Sequence, residues 1–456
     1  MKSIDSLKNL GALKALLSRH VLSSELESEF SRFPSQAIVG LGQGGGRIAA
    51  ELSRFGFPTF LLNSSKSDMN EHRGLIPDER RIETKHTGYP ALEGTDKNAQ
   101  LGYEIAVENK DTYKLIAVEQ DIQNAEFVWV CVSLGGGTGN GALKVALSYL
   151  SQIRSRRAIP TSDGNKIPLG VICSLPSKDE KGSAFRKNAL AGINVLSQLM
   201  RERKIGSVLV MDNQKISDYY NDPLTTTQGM EIDARSYSNM VVASTLFEIC
   251  TLPLLGGRSV FDKTELLSTL STPGWLSISK MNDLTIDNED SINFEAEITR
   301  LFKDNEVLAD YRFDKALAGA IAVIYPEGKN ISPKIADAVY GHASELLNTK
   351  VNQAISKSRH LQEILFYGLA VVAEAPVRIH QLLEEKNEWE SIEEEQRKAQ
   401  QEIATAGLDE FDDFFTTKKK LTHTRQNIGF DDLVDDIEGS QKAADLMDLD
   451  DLDDNF

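Results

Sequence analysis

The chain has 456 residues, of which 41% are hydrophobic and 26% charged, and a formal net charge of −18. That composition is ordinary for a soluble globular protein, and the length suits two or three domains around a large core. The acid excess argues against a DNA-binding surface, and no apolar run is long enough to span a bilayer.

Cys131, Cys173 and Cys250 lie far apart in apolar stretches, with neither metal-ligand nor disulfide spacing, so a reducing cytoplasm is expected. Met1-Lys-Ser-Ile-Asp5 opens no secretory hydrophobic region.

Along the chain, Leu7, Leu10, Leu13, Leu16, Leu17 and Val21 follow helical spacing and predict an amphipathic helix over 3–33. A strand is expected at Ala37–Gly40, then a glycine-rich turn through Arg47, then a helix from about Ile48. The strand Pro58–Asn63 ends in a polar loop, and a helix follows near 98–109. The apolar run Phe127–Leu134, bounded by glycines, reads as a buried parallel strand. After Gly135–Gly141 come a helix over 142–155, a strand at Ile167–Ser174, a helix over 183–203 and a strand at Ser207–Met211. Strands alternating with helices predict an α/β, doubly wound parallel sheet, whose ligands sit beyond the carboxyl ends of the strands.

A long helix from about Asp233 to Thr251 is expected to join this domain to a smaller α/β domain with a mixed sheet, spanning about 273–376. Its strands are placed at Trp275–Met281, Ala316–Tyr325 and Ile364–Ala373, with helices near 291–304 and 332–347. Beyond Pro376 a helix runs to about Glu402. Its stripe of Ile379, Leu382, Leu383, Trp389 and Ile392 serves either its own domain or a neighbouring subunit. From about Gly407 the composition is that of a disordered acidic tail. From Asp431 onward it holds ten Asp and Glu438 against Lys442 alone. Three pieces within it, 409–415, 430–437 and 446–456, alternate acids with large apolar residues and read as short docking motifs. Lys418-Lys-Lys420 interrupts the acids.

The chemistry points to phosphate. Gly135-Gly-Gly-Thr138-Gly-Asn140-Gly141 stands between a strand and a helix, where backbone N–H groups and the helix dipole make an anion cradle. Gly40-Leu-Gly42-Gln43-Gly44-Gly45 matches G-x-G-x-x-G, but a dinucleotide site needs an acid at the end of the second strand, where this chain has Asn63. No Walker sequence is present. What remains is one mononucleotide held by two glycine loops.

Those loops resemble the tubulin/FtsZ superfamily, in their order along residues 35–376. Gly135–Gly141 is similar to G-G-G-T-G-[ST]-G, with Asn140 at the variable place. The resemblance implies phosphate contacts from Gly42, Gln43, Gly44, Gly45, Arg47, Gly135, Gly136, Gly137, Thr138, Gly139, Asn140 and Gly141. Asn63 opens the second loop, which lacks the family's acid. Gly94 and Thr95 lie in a γ-phosphate loop, Asp179, Glu180 and Arg186 in a ribose loop. Asn213 and Asn239 suit a guanine edge, and Arg235 stands where an aromatic usually stacks. Asp262 and Glu265 match the family's hydrolytic acids, which act on the neighbouring subunit's nucleotide; Val260 replaces an Asn there. Read without the family, Asp262 is an ordinary helix N-cap.

The leading helix, the helix after Pro376 and the diverged loops are most like the TubZ/PhuZ group. The implied organisation is an N-terminal helical extension (1–34), a GTP-binding domain (35–232), a connecting helix (233–256), a second, activating domain (257–376), a long helix (377–404) and the acidic tail (405–456). The implied function is a GTPase that polymerises into dynamic filaments and hydrolyses GTP between subunits, for plasmid or phage DNA segregation. GTP/GDP and Mg²⁺ are the expected cofactors, the Mg²⁺ ligands being unassigned. Expected partners are the chain itself in a longitudinal homopolymer and a tail-binding adaptor or neighbouring subunit, with neither direct DNA binding nor a membrane. The expected location is a bacterial, or phage-infected bacterial, cytoplasm. A division or scaffold filament and a non-polymerising nucleotide enzyme are the alternatives.

Overall fold

The computed structural model describes residues 32–162, 164–220, 224–225, 231–254, 257–259, 261–284, 293–304, 307–326, 333–358 and 364–406. The expected helix over 3–33 lies outside this set but for its last two residues. Val260, the tail motifs and Lys418–Lys420 lie wholly outside it.

The first half builds β1 (Gln36–Leu41), α1 (Gly42–Ser53), β2 (Thr59–Asn63), α2 (Lys66–Asn70), β3 (Arg81–Glu83), α3 (Ala99–Glu108), β4 (Phe127–Ser133), α4 (Thr138–Arg154), β5 (Leu169–Leu175), α5 (Ser183–Arg201), β6 (Ser207–Asp212) and α6 (Asn213–Tyr219). There follow α7 (Ala234–Thr251), β7 (Gly257–Ser259), α8 (Lys263–Leu270), β8 (Gly274–Leu284), α9 (Phe294–Lys303), β9 (Ala316–Pro326), α10 (Pro333–Leu347), β10 (Val351–Ser358), β11 (Ile364–Val372) and α11 (Arg378–Ala406).

Eleven of the described strands form one sheet, in the order β7-β10-β9-β11-β8-β6-β5-β4-β1-β2-β3. From β3 to β8 every neighbour pair is parallel, and β8–β11, β11–β9 and β10–β7 are antiparallel. The expected boundary between a parallel and a mixed sheet therefore falls at β8. It is no gap: Gly274, Trp275 and Leu276 pair with Ser207, Val208 and Leu209, so the two expected domains share one sheet.

Period-two patterning explains why the strands read as continuous apolar runs. Val128, Val130 and Val132 enter the core on one face of β4, and Phe127, Trp129 and Cys131 enter a second core on the other. Each fully buried aliphatic or aromatic side chain removes about 1.5–3 kcal/mol of exposed surface cost. Trp129 is wholly buried, and its indole N–H donates to Gln36 Oε1 at 2.9 Å. Gly170 opposite leaves the space: a Cβ there would stand 2.5 Å from the indole ring.

Two helix starts differ from expectation. α1 begins at Gly42 rather than Ile48, and α4 at Thr138 rather than Ala142, so both glycine runs enter the first helical turn. Glycine's poor propensity is overridden there by close packing that admits no Cβ. β10 and β7 were not anticipated, because Val351–Ser358 is mostly polar with no period-two alternation and β7 has three residues.

By its internal contacts the chain divides into the units Met1–Glu394 and Glu395–Phe456. Of the second, the described residues are the end of α11.

Candidate functional site

The carboxyl ends of β1, β2, β4, β5 and β6 lie side by side in the sheet, and each leads directly into a loop or helix start named above. α1 and α4 start without a side-chain cap and without an acid in their first turns. Their leading N–H groups have no intrahelical partner. The two starts touch, since a Cβ on Gly42 would lie 2.7 Å from the Gly139 nitrogen and one on Gly139 2.5 Å from the Leu41 carbonyl oxygen. Gly42 also needs its freedom, at φ +65°. The structure thus brings together Gly42, Gln43, Gly44, Gly45 and Gly135–Gly141.

Within the second run the glycines divide by role. A Cβ on Gly137 would strike Thr95 Oγ1, and one on Gly141 would lie 2.4 Å from the Ala99 carbonyl oxygen, so both make room for the 94–98 loop and α3. Gly136 meets only the Ser133 carbonyl, at 3.6 Å, and is open. Thr138 centres the cradle. Its hydroxyl lies 3.0 Å from Ser64 Oγ and 3.3 Å from Thr95 Oγ1, joining three loops. The 94–98 loop is bent sharply: Gly94, Asp96 and Lys97 all have positive φ, of 78°, 43° and 66°. Non-glycine residues so placed are strained by roughly 1–3 kcal/mol each and cluster where loops serve ligands.

Three positions absent from the sequence reading organise this site. Asp68, in the first turn of α2, accepts from Gln43 Nε2 at 2.9 Å and from Asn63 Nδ2 at 3.1 Å. It lies three residues beyond the place where the second loop lacked an acid. Asn188 Nδ2 donates to the carbonyls of Lys97 at 2.7 Å, Gly135 at 3.2 Å and Gly136 at 3.4 Å. Gln214 Oε1 accepts from the Lys178 N–H at 2.6 Å, tying the 177–182 loop to α6. Only Asp68 left a trace in sequence, as a carboxylate in the first turn of a short helix.

At two expected contacts the side chain is engaged elsewhere. Asn140 turns away from the cradle: its Nδ2 donates to the Asn188 carbonyl at 2.8 Å, and Gly192 of α5 makes room for its Oδ1. Arg186 is wholly buried. Its guanidinium donates to the carbonyls of Ser177, Glu180 and Gly182 and to Glu385. With every arm occupied it shapes the 177–182 loop rather than reaching a ribose. Asp179 accepts from Ser217 Oγ at 3.0 Å and Glu180 from the Ser177 N–H at 2.9 Å. Arg235 is half exposed, 3.6 Å from Glu180 and 3.4 Å from Ser177 Oγ. Arg47 forms an exposed pair with Glu71, the kind that contributes little and that an anion can displace. Asn213 opens α6 behind its cap Asp212, and Asn239 lies half-buried on α7. Burial raises the Asp212 pKa against the opposing pull of Arg378.

Asp262 and Glu265 are together, but elsewhere. They form a capping box at the start of α8: Asp262 Oδ1 accepts the Glu265 N–H at 2.8 Å, and Glu265 Oε2 accepts the Asp262 N–H at 3.1 Å. α8 lies at the amino ends of the parallel strands. Lys263 Nζ is 2.7 Å from Glu126, just before β4, and Lys166, just before β5, reaches Thr272. The glycine cradle is at the opposite ends of those strands, about 20 Å away at a rise of about 3.3 Å per residue. One copy therefore does not bring its own acids to its own cradle.

No family model matches the chain. Over 461 residues it is 24% identical to the tubulin-like protein TubZ of Bacillus cereus, covering 92% of this chain and 97% of that one. The tubulin-like protein CetZ of Pyrococcus horikoshii is 25% identical over 303 residues, 66% of this chain and 75% of that one. The structure resembles a GTPγS-form protofilament of Bacillus thuringiensis serovar israelensis TubZ with a TM-score of 0.64, at 21% identity over 82% of this chain and 99% of that one. The chain thus has the fold of these tubulin-like proteins, and its sequence is similar to TubZ along most of its length.

Proposed function

We propose that the chain is a GTPase that polymerises head to tail and hydrolyses GTP where two copies meet. The observation that carries this reading is the separation of the uncapped glycine cradle from the Asp262–Glu265 pair by the length of the parallel strands. Stacking one copy on the next in the same orientation sets the acids of one over the cradle of the other.

In this reading the N–H groups at the starts of α1 and α4, and the hydroxyls of Thr138, Ser64 and Thr95, take the phosphates. Asn213 and Asn239 face the base, with Arg235 at its rim. The oxygen donors Thr138, Ser64 and Asp68 fit a hard cation, although no cluster of three His, Cys, Asp or Glu side chains occurs among the described residues. Mg²⁺ bound there with the phosphates would neutralise charge as the γ-phosphate leaves. Asp262, which is exposed, orients or deprotonates the attacking water for the neighbouring copy. Glu265 holds Asp262 in place through the capping box. We assign the filament a role in moving plasmid or phage DNA through an adaptor bound by the acidic tail, on the strength of the TubZ-like sequence and the tail's charge. The domain boundaries given above and a cytoplasmic location belong to the same reading; among the described residues no helix is long and apolar enough to cross a membrane.

Right-angle light scattering of the full-length chain tests it. GTP should raise the signal, which should decay as phosphate is released, and Asp262→Ala should hold the signal high. A wild type that releases phosphate from GTP with no rise in scattering overturns the shared-site reading.

A further inference from the structure

Four buried charges lie behind the nucleotide site, and the cradle chemistry uses none of them. Glu385, on the second turn of α11, is almost wholly buried. One oxygen accepts from Arg378 Nη1 at 2.5 Å; the other accepts from Arg378 Nη2 and from Arg186 Nε, each at 3.2 Å. Arg378 Nη2 also donates to the Pro176 carbonyl at 3.1 Å, and its Nε lies 3.4 Å from Asp212 Oδ1. Arg186 holds the carbonyls of Ser177, Glu180 and Gly182. Thus one carboxylate on α11 fixes two guanidiniums. Those guanidiniums fix four carbonyls of the 176–182 loop and the aspartate that caps the helix opened by Asn213. The charges balance, two against two.

Buried ion pairs add little net stability once desolvation is counted, so the geometry they impose is the larger consequence. Two further contacts fasten the same helix beside the same loop. Glu393 accepts from the Ser183 N–H at 2.7 Å and from Ser183 Oγ at 2.6 Å, and Lys187 pairs with Glu390 at 3.1 Å.

We infer that Glu385 is a positioning residue for the bound nucleotide, so that the start of α11 sets how fast nucleotide leaves. This inference rests on the proposed GTP site. Glu385 touches no ligand; it acts through Arg186 and Arg378 on the loop that carries Asp179 and Glu180.

The test is release of a fluorescent GDP analogue from the full-length chain, chased with unlabelled GDP at a concentration too low to polymerise. Glu385→Gln keeps the shape and removes the charge. Losing two charge-assisted pairs should speed release about tenfold, and raise the KM for GTP with kcat nearly unchanged. Arg378→Lys keeps the charge but loses the second arm, and should speed release several-fold. The control is Glu248→Gln, which cuts a buried cluster with Lys280 and Tyr367 far along α7. It should lower Tm and leave release unchanged. Release from Glu385→Gln within about twofold of wild type, or an equal acceleration in Glu248→Gln, overturns the inference. A wild type that binds no labelled GDP overturns the GTP site itself, a distinct result.

Discussion

The helices that start at Thr138 and at Lys263 meet the same problem in opposite ways. Every helix start leaves N–H groups without partners. At Lys263 the chain satisfies them internally, with Asp262 and Glu265 each accepting from the other's backbone. At Thr138 it does not: Gly137 offers no side chain, no acid occupies the first turn, and three hydroxyls gather instead. A closed start presents carboxylates to its surroundings; an open one waits for an anion. The contrast supports the proposal that one chain carries two half-sites of opposite character at opposite ends of the same strands.

The hardest test of that contrast is Gly139→Val. Its side chain would enter the space against the Leu41 carbonyl, 2.5 Å from the first added atom. Overpacking there should cost about 3 kcal/mol and abolish nucleotide binding, read by thermal melting and by equilibrium binding of labelled GDP. Unchanged binding would show that the two helix starts need not touch.

Asp262→Ser separates capping from chemistry. Serine caps a helix about as well as aspartate, whereas alanine costs roughly 1 kcal/mol. Asp262→Ser should therefore keep the wild-type Tm and lower phosphate release from filaments about 100-fold. A variant that melts and hydrolyses like wild type would reduce Asp262 to a cap.

Asp68→Ala probes the open end more gently. Freed of their shared acceptor, Gln43 and Asn63 should loosen, weakening GTP binding about tenfold by titration calorimetry. An unchanged affinity would leave Asp68 a local tie between Gln43 and Asn63.

The smallest effect concerns Glu393. Bonds from the Ser183 hydroxyl and backbone hold its pKa below the ordinary 4.5. A carboxylate depressed in the folded state stabilises above its unfolded pKa, and that contribution is lost as pH falls through the folded value. The Tm gap between wild type and Glu393→Gln should thus be present at neutral pH and close on acidification below about pH 4.5. A gap that persists in acid would assign the effect to packing.

The parallel half of the fold was legible because its strands are buried on both faces and bounded by glycine. The cradle was legible for the same reason. The roles within it were not. Gly137 and Gly141 look like phosphate glycines in sequence, yet a Cβ on either would strike α3 or the loop before it, a fact of tertiary packing. Arg186 looks like a free cation, because nothing near it in sequence announces Glu385, 199 residues away. Asn188 shows no periodicity and no motif, and its three carbonyl partners come from two separate loops. Strand β10 was missed because it is short and mostly polar, with no period-two alternation to mark it.

The pairing of β6 with β8 bears on how the two halves could move. Gly274, Trp275 and Leu276 are locked residue by residue to Ser207, Val208 and Leu209. Sliding by one position would send each side chain of one core into the opposite core, and sliding by two is a step of nearly 7 Å. Translation along this joint is therefore all or nothing. Graded motion between the parallel and mixed halves is left to twisting of the sheet, with α7 as the rod that would feel the torque.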